Sequence, residues 1–215
     1  VFKVQWWNWL NDRMKWGGRG GYEYFPEEDN YIYTIAHFYP RMAAYMDYSG
    51  WMHKQFLGQG EFTLDFGDYT LNITAPSDHI VAATGEWANA SAVLTSAQQK
   101  RLAQARTSST PVMIVTPQEA LDNEKERSNG TKTWVFKSKN VRDVAFASSR
   151  KFIWDAMNQP VKTNNVLCMS YYPKEGNPLW EQYSTKVVAH TIKTYSKFTA
   201  DYIYPVAISV HTDRI

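Results

Sequence analysis

Residues 30–60 read NYIYTIAHFYPRMAAYMDYSGWMHKQFLGQG, and how this stretch is taken decides the fold. Tyr31, Tyr33, Phe38, Tyr39, Tyr45, Tyr48, Trp51 and Phe56 crowd into it, with His37, Arg41, Asp47, His53 and Lys54 between them. Little of it alternates cleanly enough for a routine strand. Aromatic side chains bury large areas and carry polar tips, so such a run either roofs a β-sandwich or lines a binding surface.

C-terminal to this stretch the pattern sharpens. Phe62, Leu64 and Phe66 alternate with Thr63 and Asp65, and Tyr69, Leu71 and Ile73 alternate with Thr70 and Asn72. The phase changes at Gly67-Asp68, which predicts a tight hairpin or a bulge. Pro76-Ser77-Asp78 turns the chain into a strand over 79–85, and further short strands are expected at 112–115, 132–137, 140–147 and 166–172. The Ala- and Gln-rich segment 91–108 predicts a helix with Ser96 as its N-cap. After Pro173-Lys174-Glu175-Gly176, Asn177 and Pro178 form a helix start, and Trp180, Tyr183, Val187, Thr191 and Phe198 recur at helical spacing. Pro205 ends that run, and Val206–Val210 is an apolar strand. N-terminal to the aromatic stretch, Val1–Asn11 has the composition of a half-buried strand, and Gly17–Gly21 reads as a turn or loop.

Composition narrows the function. Aromatics at 15% favour β structure and aromatic surfaces, and 23 basic against 21 acidic residues, scattered along the chain, leave no stripe for nucleic acid. The single cysteine, Cys168, lies in an apolar strand, which excludes an internal disulfide or multi-cysteine zinc site and predicts an inert thiol. No apolar run reaches membrane-spanning length. None of the five histidines belongs to a His-Glu-x-x-His pair, and no Gly-x-Ser-x-Gly elbow is present. The acidic run Glu27-Glu28-Asp29 lacks calcium-loop spacing, and three Asn-x-Ser/Thr tripeptides begin at Asn72, Asn89 and Asn129. The residues alone therefore predict no catalytic machinery.

Five segments together resemble the zinc metallopeptidases of the aminopeptidase N family, gluzincins with a thermolysin-like catalytic domain. They are TIAHFYPRMAAY (34–45), GWMHKQFLGQGEFTLDFGDY (50–69), HIVAATG (79–85), NVRDVAFASSRKF (140–152) and YYPKEGNPLWEQYSTKVVAHTIKTYSKF (171–198). The resemblance runs over nearly the whole chain and is nearest to bacterial members, which implies a secreted, periplasmic or envelope-associated protein. It implies a mainly β fold. Residues 1–174 would be the later part of a saddle-like β-sandwich domain, and 175–215 the beginning of the α+β catalytic domain, with a helix at about 178–200 and a strand at about 205–211.

The resemblance also implies a fragment. The family's Gly-x-Met-Glu-Asn and His-Glu-x-x-His motifs would follow Ile215 in a longer chain, so the parent's zinc, its catalytic residues and its metal ligands all fall outside these 215 residues. One functional position falls inside. Ala36-His37-Phe38-Tyr39-Pro40 matches the family's Thr-Gln-Phe-Glu-Pro-like segment, whose Gln reaches the substrate's N-terminal end. The resemblance thus implies that His37, Tyr39 and Arg41 contact substrate. His37 keeps hydrogen-bonding capacity, whereas Tyr39 supplies no negative charge for a free α-amino group, so strict aminopeptidase specificity is not expected.

The expected partners are a peptide substrate in the intact parent, and either the remainder of the protein or a second copy at exposed sheet edges. A different class stays open: a non-catalytic β-sandwich that binds protein or carbohydrate through the aromatic surface of 31–56. A degenerate relative without zinc is a third possibility. Where those aromatics point discriminates core from cleft.

Overall fold

The computed structural model describes residues 1–18, 20–54 and 63–211. The first half carries α1 (Arg13–Trp16), β1 (Gly21–Phe25), β2 (Asn30–Ala36), β3 (Ala44–Met46), β4 (Gly50–Met52), β5 (Gly67–Pro76), β6 (Ile80–Ala83) and β7 (Glu86–Trp87). The second carries α2 (Ala90–Val93), α3 (Ser96–Ala105), β8 (Val112–Val115), α4 (Pro117–Lys125), β9 (Thr131–Val141), β10 (Ala145–Ser149), β11 (Ile153–Pro160), β12 (Asn165–Tyr172), α5 (Thr185–Phe198) and β13 (Val206–Val210). The fold is mainly β, with no closed barrel among the described residues.

Three sheets enclose the core. One has the order β1-β2-β10-β6, a second β5-β9-β7, and a third β13-β12-β11-β8; β3 and β4 form a separate hairpin. All strand pairs are antiparallel except β12 with β13. In β5, Ile73 and Ala75 are buried while Asn72 and Thr74 face solvent, the period of two that a sheet with one wet face imposes. Its partner β9 answers with buried Trp134, Phe136 and Ser138 between exposed Thr133, Lys137 and Lys139. The β11 and β12 runs are buried almost throughout, so they show no alternation. Such strands sit between packed layers on both faces.

The phase change at Gly67-Asp68 is a bulge. Gly67 faces Val141 and Tyr69 faces Ser138, so Asp68 opposes two residues of β9. The extra residue is absorbed by Asn140, whose φ of 52° is left-handed and whose N–H donates to Asp68 Oδ1 at 2.8 Å. The expected 61–66 strand begins outside the described residues, as does Phe56, and residues 63–66 are irregular.

Several local expectations change: the strand expected over 140–147 is interrupted between β9 and β10, and the helix expected over 91–108 is divided into α2 and α3. Val1–Asn11 forms no strand: Phe2, Trp7 and Trp9 stand exposed, because strand-like composition builds a strand only where a neighbouring strand takes up the backbone polar groups. Tyr22 N–H does reach Asn11 O, and Asp12 makes an isolated bridge with Tyr22. The cap of α3 is Thr95 rather than Ser96, and it makes a capping box with Gln98.

Beyond β12 a short 3₁₀ turn (Lys174–Gly176) and a π-helical turn (Trp180–Ser184) lead into α5, which lies across β11 and β12 and delivers β13 in parallel onto β12. Beneath α5, Ala189 and Ile192 meet Met157, Val166, Cys168 and Ala207. The opposite face of this sheet contributes Trp154, Met169, Tyr171 and Val206 to a larger cluster that also holds Phe25, Val81, Trp134 and Phe136. One core thus runs from β1 to β13.

Candidate functional site

His37 follows the last residue of β2 in a left-handed conformation (φ 52°), which swings the chain out of the sheet and turns the side chains of 37, 39 and 41 toward the connection between β9 and β10. They converge on Asp143. His37 Nδ1 lies 2.9 Å from Asp143 Oδ2, Tyr39 O–H donates to Oδ1 at 2.9 Å, and Arg41 Nη1 pairs with Oδ1 at 3.0 Å. Arg41 also donates to the Arg142 carbonyl and to Tyr69 O–H at 3.1 Å, with its guanidinium over the rings of Tyr39 and Tyr69. Burial, then hydrogen bonding with Tyr69 and Asp143, holds the Tyr39 hydroxyl far above its ordinary range, so it is a neutral donor. The arrangement puts a carboxylate, supplied by Asp143, beside the position where the resemblance leaves Tyr39 without charge.

Asp143 is also a wall residue of an open cleft of about 1080 Å³. One side of this cleft is the Thr84–Ala88 segment, another the bulged end of β9 with Arg142 and Asp143, and the third the chain entering β13, including Tyr202, Ile203 and Tyr204. Tyr204 O–H donates to the Asn140 carbonyl at 2.8 Å, and Asn164 Nδ2 donates to Tyr204 O at 3.0 Å, so the β13 approach is tied to the bulge. Trp87 packs on Phe136 and Trp154, ring centroids 5.9 and 5.3 Å away, and anchors the aromatic floor in the core. Gly85 is required where it stands: its φ is 101°, and a Cβ there would lie 2.4 Å from the Lys137 carbonyl oxygen.

Among the described residues, none of the aromatics of 31–54 lines this cleft. Tyr31 and Tyr33 stack with each other and with Tyr22, Tyr24 and His79 on the face of the first sheet, while Tyr45, Tyr48 and Trp51 stand exposed around the β3–β4 hairpin. The cleft aromatics are Phe66, Trp87, Tyr202 and Tyr204. No local pattern in the sequence joins them, because they come from three distant segments; Tyr202 and Tyr204, both just before Pro205, are the available signal.

The other titratable groups have structural surroundings. His79 is buried and shares a 2.8 Å hydrogen bond with Ser148; burial, then the Arg150 charge, lowers its pKa to about 4. Burial pushes the Cys168 thiol up to about 12, which leaves it protonated and unreactive at neutral pH. Asp155 lies under α5, where burial raises its pKa and Tyr172 O–H donates to it at 2.7 Å. Among the described residues no three His, Cys, Asp or Glu side chains are grouped to hold a metal ion. No helix of the described residues is long and apolar enough to cross a membrane.

The fold and cleft therefore define a mainly β chain with several antiparallel sheets and an open groove beside a β-α-β unit. No family model and no curated protein matches the sequence. Among solved structures, the chain is similar to the M1 zinc metallopeptidase from Deinococcus radiodurans at 15% identity, with a TM-score of 0.39, over 68% of this chain and 26% of that one. A mutant of that enzyme bound to a Tyr-Ser-Ala substrate, and a two-domain M1 zinc metallopeptidase mutant bound to L-tryptophan, match at 15% identity with TM-scores of 0.41. The chain spans about a quarter of the length of each.

Proposed function

We propose that this chain is the cleft-framing part of a zinc-dependent, aminopeptidase-like metallopeptidase, and that its groove receives a peptide. In that reading residues 1–174 belong to the family's saddle-like β-sandwich domain and 175–215 begin the catalytic domain. The observation that carries it is the cleft itself, whose walls come from both parts and are joined by the Tyr204–Asn140 hydrogen bond. The five family-like segments support the same reading. Peptide hydrolysis of this kind needs a metal-activated water and a general base, which the resemblance assigns to the part of the parent that follows this segment, so the role read for the segment is to frame the cleft. Asp143, braced by His37, Tyr39 and Arg41, is the carboxylate placed to meet a substrate α-amino group.

The test is fluorescence anisotropy with labelled hexapeptides on the full 215-residue chain. Phe66 and Ile203 line the cleft and are exposed, so their replacement by Ala leaves the core intact. Each replacement is expected to weaken binding about fivefold, the effect of truncating a useful contact residue. Binding indifferent to both, or no binding, overturns the reading. On the purified natural protein, intact mass, zinc content and hydrolysis of aminoacyl reporters test the parent's activity. A longer, zinc-containing, chelator-sensitive hydrolase is expected. A longer protein without zinc or turnover would identify a degenerate relative, and a chain of this length with neither would favour a non-catalytic binding module.

A further inference from the structure

The charges around the cleft are unequal. Lys137 and Lys139 project from the exposed face of β9, and Arg142 follows that strand with its guanidinium 5.0 Å from the centre of the Phe66 ring. All three line the cleft, and none forms an ion pair among the described residues. Among the described residues the wall holds two carboxylates, Glu86 and Asp143. Asp143 is already engaged by Arg41, and Glu86 lies 4.0 Å from Arg106. Among the described residues three cations are thus left without an ion pair, Lys137 standing opposite Glu86 across the β7–β9 ladder, around an aromatic floor of Phe66, Trp87, Tyr202 and Tyr204.

A groove with low-dielectric walls concentrates the field of such charges and favours a ligand of opposite sign. An amphipathic floor beneath them suits apolar or aromatic side chains next to that charge. We propose that the cleft selects acidic peptides, with Asp or Glu side chains meeting Lys137, Lys139 and Arg142 while neighbouring apolar side chains lie on the aromatic floor. The proposal rests on the peptide-cleft reading and adds substrate charge to it. A single-stranded nucleic acid would use the same pairing of cations and aromatics, but it needs a basic track along its backbone. Here the cations cluster at one end of β9, and the net charge of the whole chain is only +2.

The experiment compares three labelled hexapeptides of identical apolar content whose polar positions are Glu, Gln or Lys, together with a labelled thymidine hexanucleotide. Titrations of the full chain are run in low and in physiological salt. Each exposed contact between opposite charges is worth a fraction of a kcal/mol, so three together should favour the Glu over the Gln peptide by about tenfold, and by less as salt rises. The double variant K137E/K139E, at two exposed strand positions, should invert the order of the Glu and Lys peptides, with circular dichroism confirming the fold. If all three peptides bind equally while Phe66→Ala and Ile203→Ala still weaken them, charge selection is wrong and the peptide cleft stands. If no peptide binds, or those variants have no effect, both ideas fail. Tighter binding of the oligonucleotide than of the Glu peptide would also overturn the proposal.

Discussion

At the scale of single residues, burial decides which ionisable groups matter. His79 sits against Ser148 on β10 and beneath Tyr33, with Arg150 and Asp78 as its charged neighbours. Its pKa falls from 6.5 to about 4, because an imidazolium would be buried beside a guanidinium. Below pH 6.5 the unfolded chain binds a proton at this position that the native chain refuses, so stability falls as pH drops, until the native histidine itself protonates near 4. At about 1.4 kcal/mol for each pH unit between those two values, the loss is on the order of 3 kcal/mol. Urea midpoints measured from pH 7 to 4 should therefore decline, and His79→Gln should flatten part of that decline; an equal slope in the variant would refute this account. His37, Tyr39 and Arg41 were singled out in the sequence only through the family resemblance of their segment. The carboxylate that gathers them, Asp143, is more than a hundred residues away along the chain and carried no local signal.

At the scale of elements, local pattern and partner share the outcome. The β5 strand could be read from its alternation, whereas the phase change at Gly67-Asp68 left a hairpin or a bulge open and the pairing with β9 made it a bulge. Strand β11 could not be read, because burial on both faces erases the period of two and leaves Ile153–Met157 without a polar position on a wet side. Val1–Asn11 fails in the opposite sense, having strand composition without a strand's partner. Gly85 shows how tightly neighbouring elements meet. It joins β6 to β7 with a positive φ and lies against the backbone of β9. Gly85→Ala forces either a strained φ or displacement of the Lys137 carbonyl, and about 2–3 kcal/mol of destabilisation is expected by thermal or urea unfolding. It should also weaken peptide binding, since the displaced wall belongs to the cleft. A neutral result would mean that β9 yields at no cost.

At the scale of the whole molecule, one charge cluster joins the parts. The Lys151 ammonium is completely buried and lies 3.1 Å from Glu28, 3.4 Å from Glu124 and 2.9 Å from Glu175. Lys174 pairs with both Glu28 and Glu124. The cluster therefore links the β1–β2 turn, α4, the β10–β11 connection and the turn that leads toward α5. Burial pushes the Glu28 carboxyl up, but hydrogen bonds from Lys174 and Lys151 outweigh this and hold it below its ordinary range. Lys151→Met would leave buried Glu124 dependent on Lys174 alone. Removing one partner of a buried pair costs about 3–5 kcal/mol, most of it the stranded opposite charge. Calorimetry should show that loss, and adding Glu124→Gln to Lys151→Met should recover part of it. A double variant no more stable than the single one would sink the charge-based explanation.

The sequence by itself determined what depends on neighbours along the chain. It specified the mainly β character, the turn at Pro76–Asp78, a helix within 91–108, the inert Cys168 and the set of segments resembling a zinc metallopeptidase family. Tertiary structure alone decided what depends on residues far apart in the chain. It assembled a continuous core from β1 to β13, gathered His37, Tyr39 and Arg41 on Asp143, buried Lys151 among three carboxylates and built the cleft from segments far apart in the chain. The physical reason is one of range. Alternation and capping act over a few residues, whereas burial, charge compensation and concavity are properties of surfaces that exist only once distant strands have met.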